Sequence, residues 1–574
     1  MQTQRMILWI VFSMSLLFLW DAWQRHNGQP SMFGGAPVTQ ADGAKGAASS
    51  GQPVDASIPP APAAATVPAT VPAAGAPAGD APAGSAASSN RPIRLANDVL
   101  SLDVDPMGGM IRRAELLQHR DLVARDGSRF LLFRSDAGGT YLAQSGLIGA
   151  PDGQTFPTHR TPMAPADGNS GAREIGGGDA VSLTLVGESG GIRLTRTYTL
   201  KRGAYVIDVK DEVSNLSGAP LQPTLYMQLT RDANAPPGGS TFYSTYHGPV
   251  VYTDADKFQK VAFDDIEKNK AKHSAKASDG WVGIIEHYFV SAWIPAEAAA
   301  REFYTRKAGD NLYSVGIKQP LAQIAPGASA TVQSQLLAGP QDQAMLEAIA
   351  PGLDLTVDYG WLTVIAKPIH WLLEKLHGIV GNWGWAIVLL TIVIKTFFFP
   401  LQAASYRSMA RMKAVTPRLT QIRERYGNDR VKMNQAMMEL YKTEKINPLG
   451  GCLPIVVQIP VFIALYWVLL ASVEMRDAPW IGWIKDLSAP DPFYILPLVM
   501  AGTMFIQVKL NPTPPDPMQA KMMMLMPLVF SVMFFFFPAG LVLYWLVNNV
   551  YSIIQQWLIT RKINEQMAAK KLKG

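Results

Sequence analysis

Four rhythms of apolar and polar residues follow one another along this chain, and each predicts a different kind of element. The first is an uncharged, strongly apolar run over residues 6–20, between Arg5 and Asp21. As a helix, residues 6–23 would span about 27 Å, a slightly short bilayer crossing. A cleaved signal peptide ends in small residues, whereas Trp20-Asp21-Ala22-Trp23 is bulky. Residues 1–24 therefore read as a retained transmembrane signal anchor, with tryptophans at both ends suited to the membrane interface.

Residues 25–90 lose periodicity altogether. The forty residues 51–90 include 14 Ala, 8 Pro and 4 Gly, and so little bulky apolar side chain cannot offset ordering entropy, which predicts a flexible linker. Over residues 91–346 a period of two takes over, as in Val181-Ser-Leu-Thr-Leu185, Tyr205-Val-Ile-Asp-Val209 and Leu225-Tyr-Met-Gln-Leu229, with turns at Gly190-Gly191 and Ser217-Gly218. Many short strands without intervening helices predict an antiparallel β-sandwich. It has no phosphate loop, no His-Glu-x-x-His and no nucleophile motif, and its His159, His247, His273 and His287 are scattered. Scattered histidines are read as structural, and a sugar-binding role for the sandwich is left open.

After Pro351 the period becomes helical. Over residues 361–378, Trp361, Ile365, Ile369, Leu372 and Leu376 share one helical face, and Lys367, His370, Glu374 and Lys375 lie off it. By periodicity that pattern fits an amphipathic helix in the membrane interface or a helix packed on the β domain, and the membrane span that follows favours the interface. Five apolar runs follow at 383–401, 453–473, 493–508, 522–537 and 541–559, which with the anchor predict six transmembrane helices. Only Pro538-Ala539-Gly540 separates the last two, so they read as a tight helical hairpin.

Charge orients these segments. The 574 residues carry a net charge of only +6, with 48% hydrophobic and 17% charged residues, but the distribution is uneven. Residues 402–450 hold ten basic and four acidic side chains, and the tail 560–574 holds five basic and one. The loop 474–491, with Glu474, Asp477, Asp486 and Asp491 against Arg476 and Lys485, is net negative. Basic loops stay in the cytoplasm, which places both termini there and the β domain outside. Asp429 follows a Gly-Asn turn as an N-cap, so 402–450 reads as a helical hairpin in which Leu419, Ile422 and Tyr426 face Val431, Met437 and Leu440. Its basic outer faces, with Arg407, Arg411, Arg418, Arg423, Arg425 and Lys432, suit lipid headgroups, ribosomal RNA or another anionic partner; a solvated positive-inside loop needs none of these. The single cysteine, Cys452, excludes an intramolecular disulfide and any cysteine-rich metal or redox site.

The candidate site lies inside the spans. Lys395 interrupts the run 383–401, and an ionisable group at membrane depth is a functional candidate, although snorkelling toward the headgroups would also accommodate it. Thr391 lies one turn earlier on the same face. Gln458 and Gln507 interrupt the third and fourth spans, and Tyr544, Asn548, Ser552 and Gln555 recur at helical spacing in the last, beside Trp545, Asn549 and Gln556. So many polar groups predict a wet cavity rather than contact with lipid. No acidic residue lies inside the last five spans, which argues against a proton-coupled transporter. Met518, Met522, Met523, Met524, Met526 and Met533 give the fifth span and its approach a polarizable surface suited to varied apolar segments, or simply to lipid.

Several local motifs extend this reading. Asn447-Pro-Leu-Gly-Gly-Cys-Leu-Pro454, Gln458-Ile-Pro460, Trp483-Ile-Lys-Asp-Leu-Ser488 with Asp491-Pro492, Asp516-Pro-Met-Gln519 and Gly540-Leu-Val-Leu-Tyr-Trp545 closely resemble the YidC family of bacterial membrane protein insertases, over essentially the whole chain. The resemblance implies a polytopic α-helical membrane protein of the inner membrane. Its five-helix insertase core would enclose a hydrophilic groove open to cytoplasm and lipid and closed toward the periplasm, beside a periplasmic all-β supersandwich. It further implies a non-enzymatic insertase and chaperone for nascent membrane proteins, acting alone or with the Sec translocon (SecYEG, SecDF), with the ribosome engaging the basic hairpin and tail, in the phospholipid bilayer, and with no cofactor or metal. On this reading Lys395, Thr391, Gln458, Gln507, Tyr544, Trp545, Asn548 and Ser552 line the groove, and Met522, Met526, Ile455 and Phe462 form a slide for the apolar segment. Two residues depart from the family pattern: Lys395 stands where Arg is usual, and Trp545 where Tyr is expected. The other classes open to the sequence are a small-solute transporter or channel, and a carbohydrate-binding module on a membrane anchor.

Overall fold

The computed structural model describes residues 57–61, 91–121, 127–236, 246–426, 429–444, 453–510, 521–522, 524–525 and 531–571. The anchor 1–24 and most of the linker 25–90 lie outside them. The chain divides into two compact units, Met1–Thr356 and Val357–Gly574.

The first unit is two sheets. One has ten strands in the spatial order β14 (Lys276–Ala277), β17 (Arg301–Gly309), β18 (Leu312–Pro320), β11 (Thr224–Asp232), β5 (Gly139–Ile148), β4 (Arg129–Asp136), β3 (Ile111–Arg120), β2 (Leu100–Val104), β1 (Ile93–Ala96) and β7 (Arg173–Glu174). The other has nine: β13 (Lys257–Lys260), β12 (His247–Thr253), β15 (Trp281–Glu286), β16 (Phe289–Pro295), β19 (Ser329–Pro340), β10 (Val206–Asn215), β9 (Ile192–Lys201), β8 (Ala180–Ser189) and β6 (Ala164–Pro165). All pairings are antiparallel except β1 with β7. The period-two pattern sets which face is buried. In β9, Ile192, Leu194, Arg196, Tyr198 and Leu200 point inward, and in β10, Ile207, Val209, Asp211, Val213 and Asn215 do.

Register places Arg196 directly opposite Asp211 in that interior. Their fork is bidentate, Nε to Oδ1 at 2.6 Å and Nη2 to Oδ2 at 3.2 Å, and Nη1 reaches the carbonyls of Gly108 and Ser145, the latter in β5 of the opposite sheet. A charge pair thus bridges the two layers. A second, Arg231 with Glu286 at 2.7 Å, does the same between β11 and β15. The Asp342 carboxylate caps a short helix, α2 (Gln343–Ile349), that follows α1 (Phe263–Glu267) in sequence, and the unit closes where the Trp281 indole donates to the Pro351 carbonyl at 3.0 Å.

The second unit is helical: α3 (Thr363–Val380), α4 (Trp383–Phe397), α5 (Phe399–Tyr426), α6 (Arg430–Thr443), α7 (Leu453–Ala471), α8 (Ile495–Leu510) and α9 (Ala539–Lys571). Among the described residues no single helix is long and apolar enough to cross a membrane, but α4 and α5 are so as a pair, bent by 66°. The run expected to continue to residue 401 breaks at Phe398, so the basic arm begins at Phe399 rather than at 402. In α3 the buried stripe is Ala366, Ile369, His370 and Leu373, and Val364, Trp371 and Ile379 are exposed, so the expected apolar face and the observed one share only Ile369. The reason is His370. Its two ring nitrogens stand 3.9 Å from Glu374 and from Glu474, the latter in the turn after α7, while its ring lies 6.0 Å from that of Tyr359. Burial and these carboxylates push the Tyr359 hydroxyl well above its usual pKa.

Candidate functional site

The site is built on α4 and α9, with α5, α7 and α8 around it. Asn382 caps α4 by accepting from the Trp385 amide at 3.1 Å, and the helix carries Thr391 and Lys395 inward, 1% and 4% exposed. Lys395 Nζ donates to Ser552 Oγ on α9 at 2.8 Å, and Ser552 in turn donates to the Asn548 carbonyl at 2.7 Å. Among the described residues no charged group faces Lys395. Thr391 spends its hydroxyl on the Ile387 carbonyl of its own helix, at 2.7 Å, and so contributes a small polar wall rather than a free donor.

The polar residues of α9 lie as their spacing predicts, with Asn548, Ser552 and Gln555 on one face. Tyr544 is buried, its hydroxyl beside Gln458, and Gln458 Oε1 accepts from Gln402 Nε2 at 3.0 Å. Trp545 is half-buried between Phe462, at a ring distance of 4.4 Å, and Phe534, at 5.6 Å. Gln507 is half-buried on α8, which packs against α9. Three residues that the pattern assigned to the cytoplasmic hairpin join the cluster: Gln402, Ser405 and Tyr406, the last reaching Ser552. Only the bend at Phe398 turns them inward, and Pro400 is the one local signal of it.

Among the described residues, six buried amide atoms here have no hydrogen-bond partner: Gln402 Oε1, Gln458 Nε2, Asn548 Oδ1, Asn549 Nδ2 and both polar atoms of the Gln555 side chain. Left dry, each would cost about 1–3 kcal/mol. Water or a polar ligand against the cluster would satisfy these atoms.

Of the slide residues, Met522 is 37% exposed and Phe462 stacks on Tyr544 with ring centroids 6.0 Å apart, so Phe462 belongs to the wall of the cluster. Met526 and the Ile455 side chain lie outside the described residues. In the basic hairpin, Val415 and Leu419 pack with Met412 against Met437, Leu440 and Tyr441, whereas Val431, expected in that contact, is 68% exposed. Arg418 pairs with Glu444 across the arms, Lys432 with Asp429 at 3.3 Å, and Arg425 covers the Tyr426 ring; Arg407 bonds the Ala403 carbonyl, and Arg411 is exposed.

The starts of α4 and α9 are both bonded to the loop 474–491. Asn382 Nδ2 donates to the Pro479 carbonyl at 2.9 Å, and Trp385 meets Trp480 edge to face at 5.7 Å. The start of α9 is tied to the same loop, Ala539 N to Ala489 O at 2.8 Å and Gly540 N to Leu487 O at 2.9 Å. Asp491, 1% exposed, accepts from the Trp483 indole and the amides of Phe493 and Leu496.

Two family models match the chain: the YidC periplasmic domain over residues 92–372 and the 60Kd inner membrane protein over residues 375–566. The membrane protein insertase YidC of Cupriavidus taiwanensis is 54% identical over 573 residues, covering 99% of each chain. That of Bordetella pertussis is 55% identical over 570 residues, again 99% of each. A crystal structure of an active YidC insertase with its first transmembrane domain resolved aligns to 81% of this chain and 94% of its own, at 16% identity and a TM-score of 0.37. Two domain models that together span most of the chain, and full-length relatives above half identity, place this protein in the YidC family of bacterial membrane protein insertases, which insert and chaperone membrane proteins and are not enzymes.

Proposed function

We propose that the Lys395 cluster is the hydrophilic groove through which this insertase passes the polar stretch of its substrate. The carrying observation is a buried lysine that, among the described residues, faces no carboxylate and is surrounded by amide atoms without hydrogen-bond partners. Such a site is electropositive and hydrated, so it stabilises an acidic or polar segment that would otherwise meet hydrocarbon. Gln402, Gln458, Tyr544, Asn548 and Gln555 supply exchangeable hydrogen bonds, and Phe462 and Trp545 an aromatic wall along which an apolar segment leaves toward lipid. The packed loop 474–491 closes the other end.

This reading places six spans in the inner membrane, with the N-terminal anchor as the first, both termini and the basic hairpin in the cytoplasm, and the β domain in the periplasm. Loop charge supports that orientation. The hairpin and tail are proposed as the surface that receives the nascent chain from the ribosome, and SecYEG with SecDF as co-workers on larger substrates. Met522, Met526 and Ile455 extend the slide.

The test is insertion into vesicles containing the reconstituted protein. Lys395→Ala should lower insertion of a substrate with an acidic translocated tail by about tenfold, the size of one lost charge-assisted contact, and leave a substrate with a neutral tail much less affected. Lys395→Arg should retain activity. Equal loss on both substrates would remove the charge role. Crosslinkers at Thr391, Gln458 and Trp545 should capture a stalled nascent chain, whereas solute flux in the same vesicles would favour a channel instead.

A further inference from the structure

The outer face of the ten-stranded sheet, turned away from the other sheet, is polar and yet buried. Gln144, Gln228, Gly316 and Tyr304 form one row across β5, β11, β18 and β17, each the register partner of the next. Leu142, Thr230, Ser314 and Arg306 form the adjacent row. Gln144, Gln228, Thr230 and Ser314 are at most 5% exposed, although no further sheet lies over them among the described residues. They are bonded to one another: Gln228 Nε2 to Gln144 Oε1 at 2.7 Å, Thr230 Oγ1 to Gln144 Oε1 at 2.9 Å, and the Tyr304 hydroxyl to Gln228 Oε1 at 2.8 Å. Gly316 leaves room for the Tyr304 hydroxyl in the row, since a Cβ there would stand 2.4 Å from its oxygen.

Residues 57–61 of the linker occupy this face. Gln228 Nε2 also donates to the Ser57 carbonyl at 3.0 Å, and Arg306 Nη1 donates to the Ile58 carbonyl at 3.0 Å. The Ser57 hydroxyl accepts from Arg160 Nε and Nη2, both at 3.2 Å, and stands 3.0 Å from His159 Nε2. Pro59 is buried, and Pro60 and Ala61 face out. Two backbone carbonyls and one hydroxyl are thus recognised by side chains from separate parts of the fold, and one proline ring is buried against it. The composition of residues 25–90 gives no reason for five of them to dock, and the buried polar row does. Adjacent prolines fix φ in advance, so the segment loses little freedom on binding.

We propose that this face is a peptide-binding site for short Ser-x-Pro-Pro segments, with Ser57-Ile58-Pro59-Pro60 as its resident ligand. The tether holds that ligand at high effective concentration, so the same sequence offered from solution finds the site occupied. The test uses the full chain in detergent micelles and a fluorescent peptide, Ala-Ser-Ile-Pro-Pro-Ala, read by anisotropy. In a chain carrying Ser57→Gly, Ile58→Gly, Pro59→Gly and Pro60→Gly, the peptide should bind at least about tenfold more tightly than in the native chain. Arg306→Ala in the glycine background should weaken it about fivefold or more. A peptide with Val in place of Ser should lose as much, a control that needs no change in the protein. Absence of binding up to millimolar peptide, equal binding by the native and glycine chains, or indifference to both Arg306→Ala and the Val peptide would overturn the proposal.

Discussion

Asp486 illustrates how one side chain in the loop 474–491 limits stability. Its Oδ1 accepts from the amide and hydroxyl of Ser488, at 2.8 and 2.7 Å, but its Oδ2 is buried with no hydrogen-bond partner among the described residues. Burial, the dominant cause, lifts its carboxyl above the ordinary range, against the Ser488 bonds. The folded chain therefore keeps this proton to higher pH than the unfolded chain does, and stability falls as pH rises through that window. Asp486→Asn keeps the Oδ1 acceptor and removes the buried charge. It should raise the thermal midpoint at pH 7, with the gain closing as pH falls below about 4, where both states are protonated; a pH-independent gain would show that charge is not the cause. Gly384 answers to a different constraint. A Cβ there would lie 2.2 Å from the Trp480 ring, which is itself held between Trp385 and the loop backbone, so Gly384→Ala should lower the thermal midpoint at any pH.

At the scale of elements, the strands are held by more than alternation. Arg196 and Asp211 are register partners on inward positions of β9 and β10, and both are at most 1% exposed. Asp211→Ala would leave a buried guanidinium unpaired and should cost about 3–5 kcal/mol, read as loss of the β-rich transition in denaturation followed by circular dichroism. Replacing both, Arg196→Met with Asp211→Leu, should recover most of that loss, because the apolar pair avoids desolvating two charges. Among the helices, the bend between α4 and α5 does comparable work for the site: it brings Gln402, Ser405 and Tyr406 to the same interior as Lys395. The hairpin beyond it relies on its cap. Asp429 accepts from the amides of Val431 and Lys432 at 3.1 Å, and these bonds, the Lys432 amide first, hold its carboxyl below the usual range.

For the whole molecule, the uneven charge distribution is the feature that orders all others. Placing the basic hairpin and tail on one side of the membrane and the β domain on the other predicts a labelling pattern. In a chain with Cys452→Ser, a cysteine at Ala255 should react with an impermeant maleimide added outside intact cells. One at Gln421 should react only after the inner membrane is opened; the reverse pattern would invert the orientation. The sequence by itself determined the strand-rich character of residues 91–346 and the helical spacing of the polar residues in α9, because periodicity is a local property. It also marked Asp429 as a cap, since a cap needs only the next three residues. It misplaced His370 and Val431, because a helical wheel records spacing and not which neighbour arrives: Glu374 and Glu474 stand beside the inward His370, and Val431 is left 68% exposed. Only the tertiary structure decided that Ser552 is the partner of Lys395, 157 residues away, that Arg196 spans two sheets, and that five linker residues rest on a buried polar row. Each of these depends on atoms far apart in sequence meeting at about 3 Å, a condition that long-range packing imposes and local pattern cannot encode.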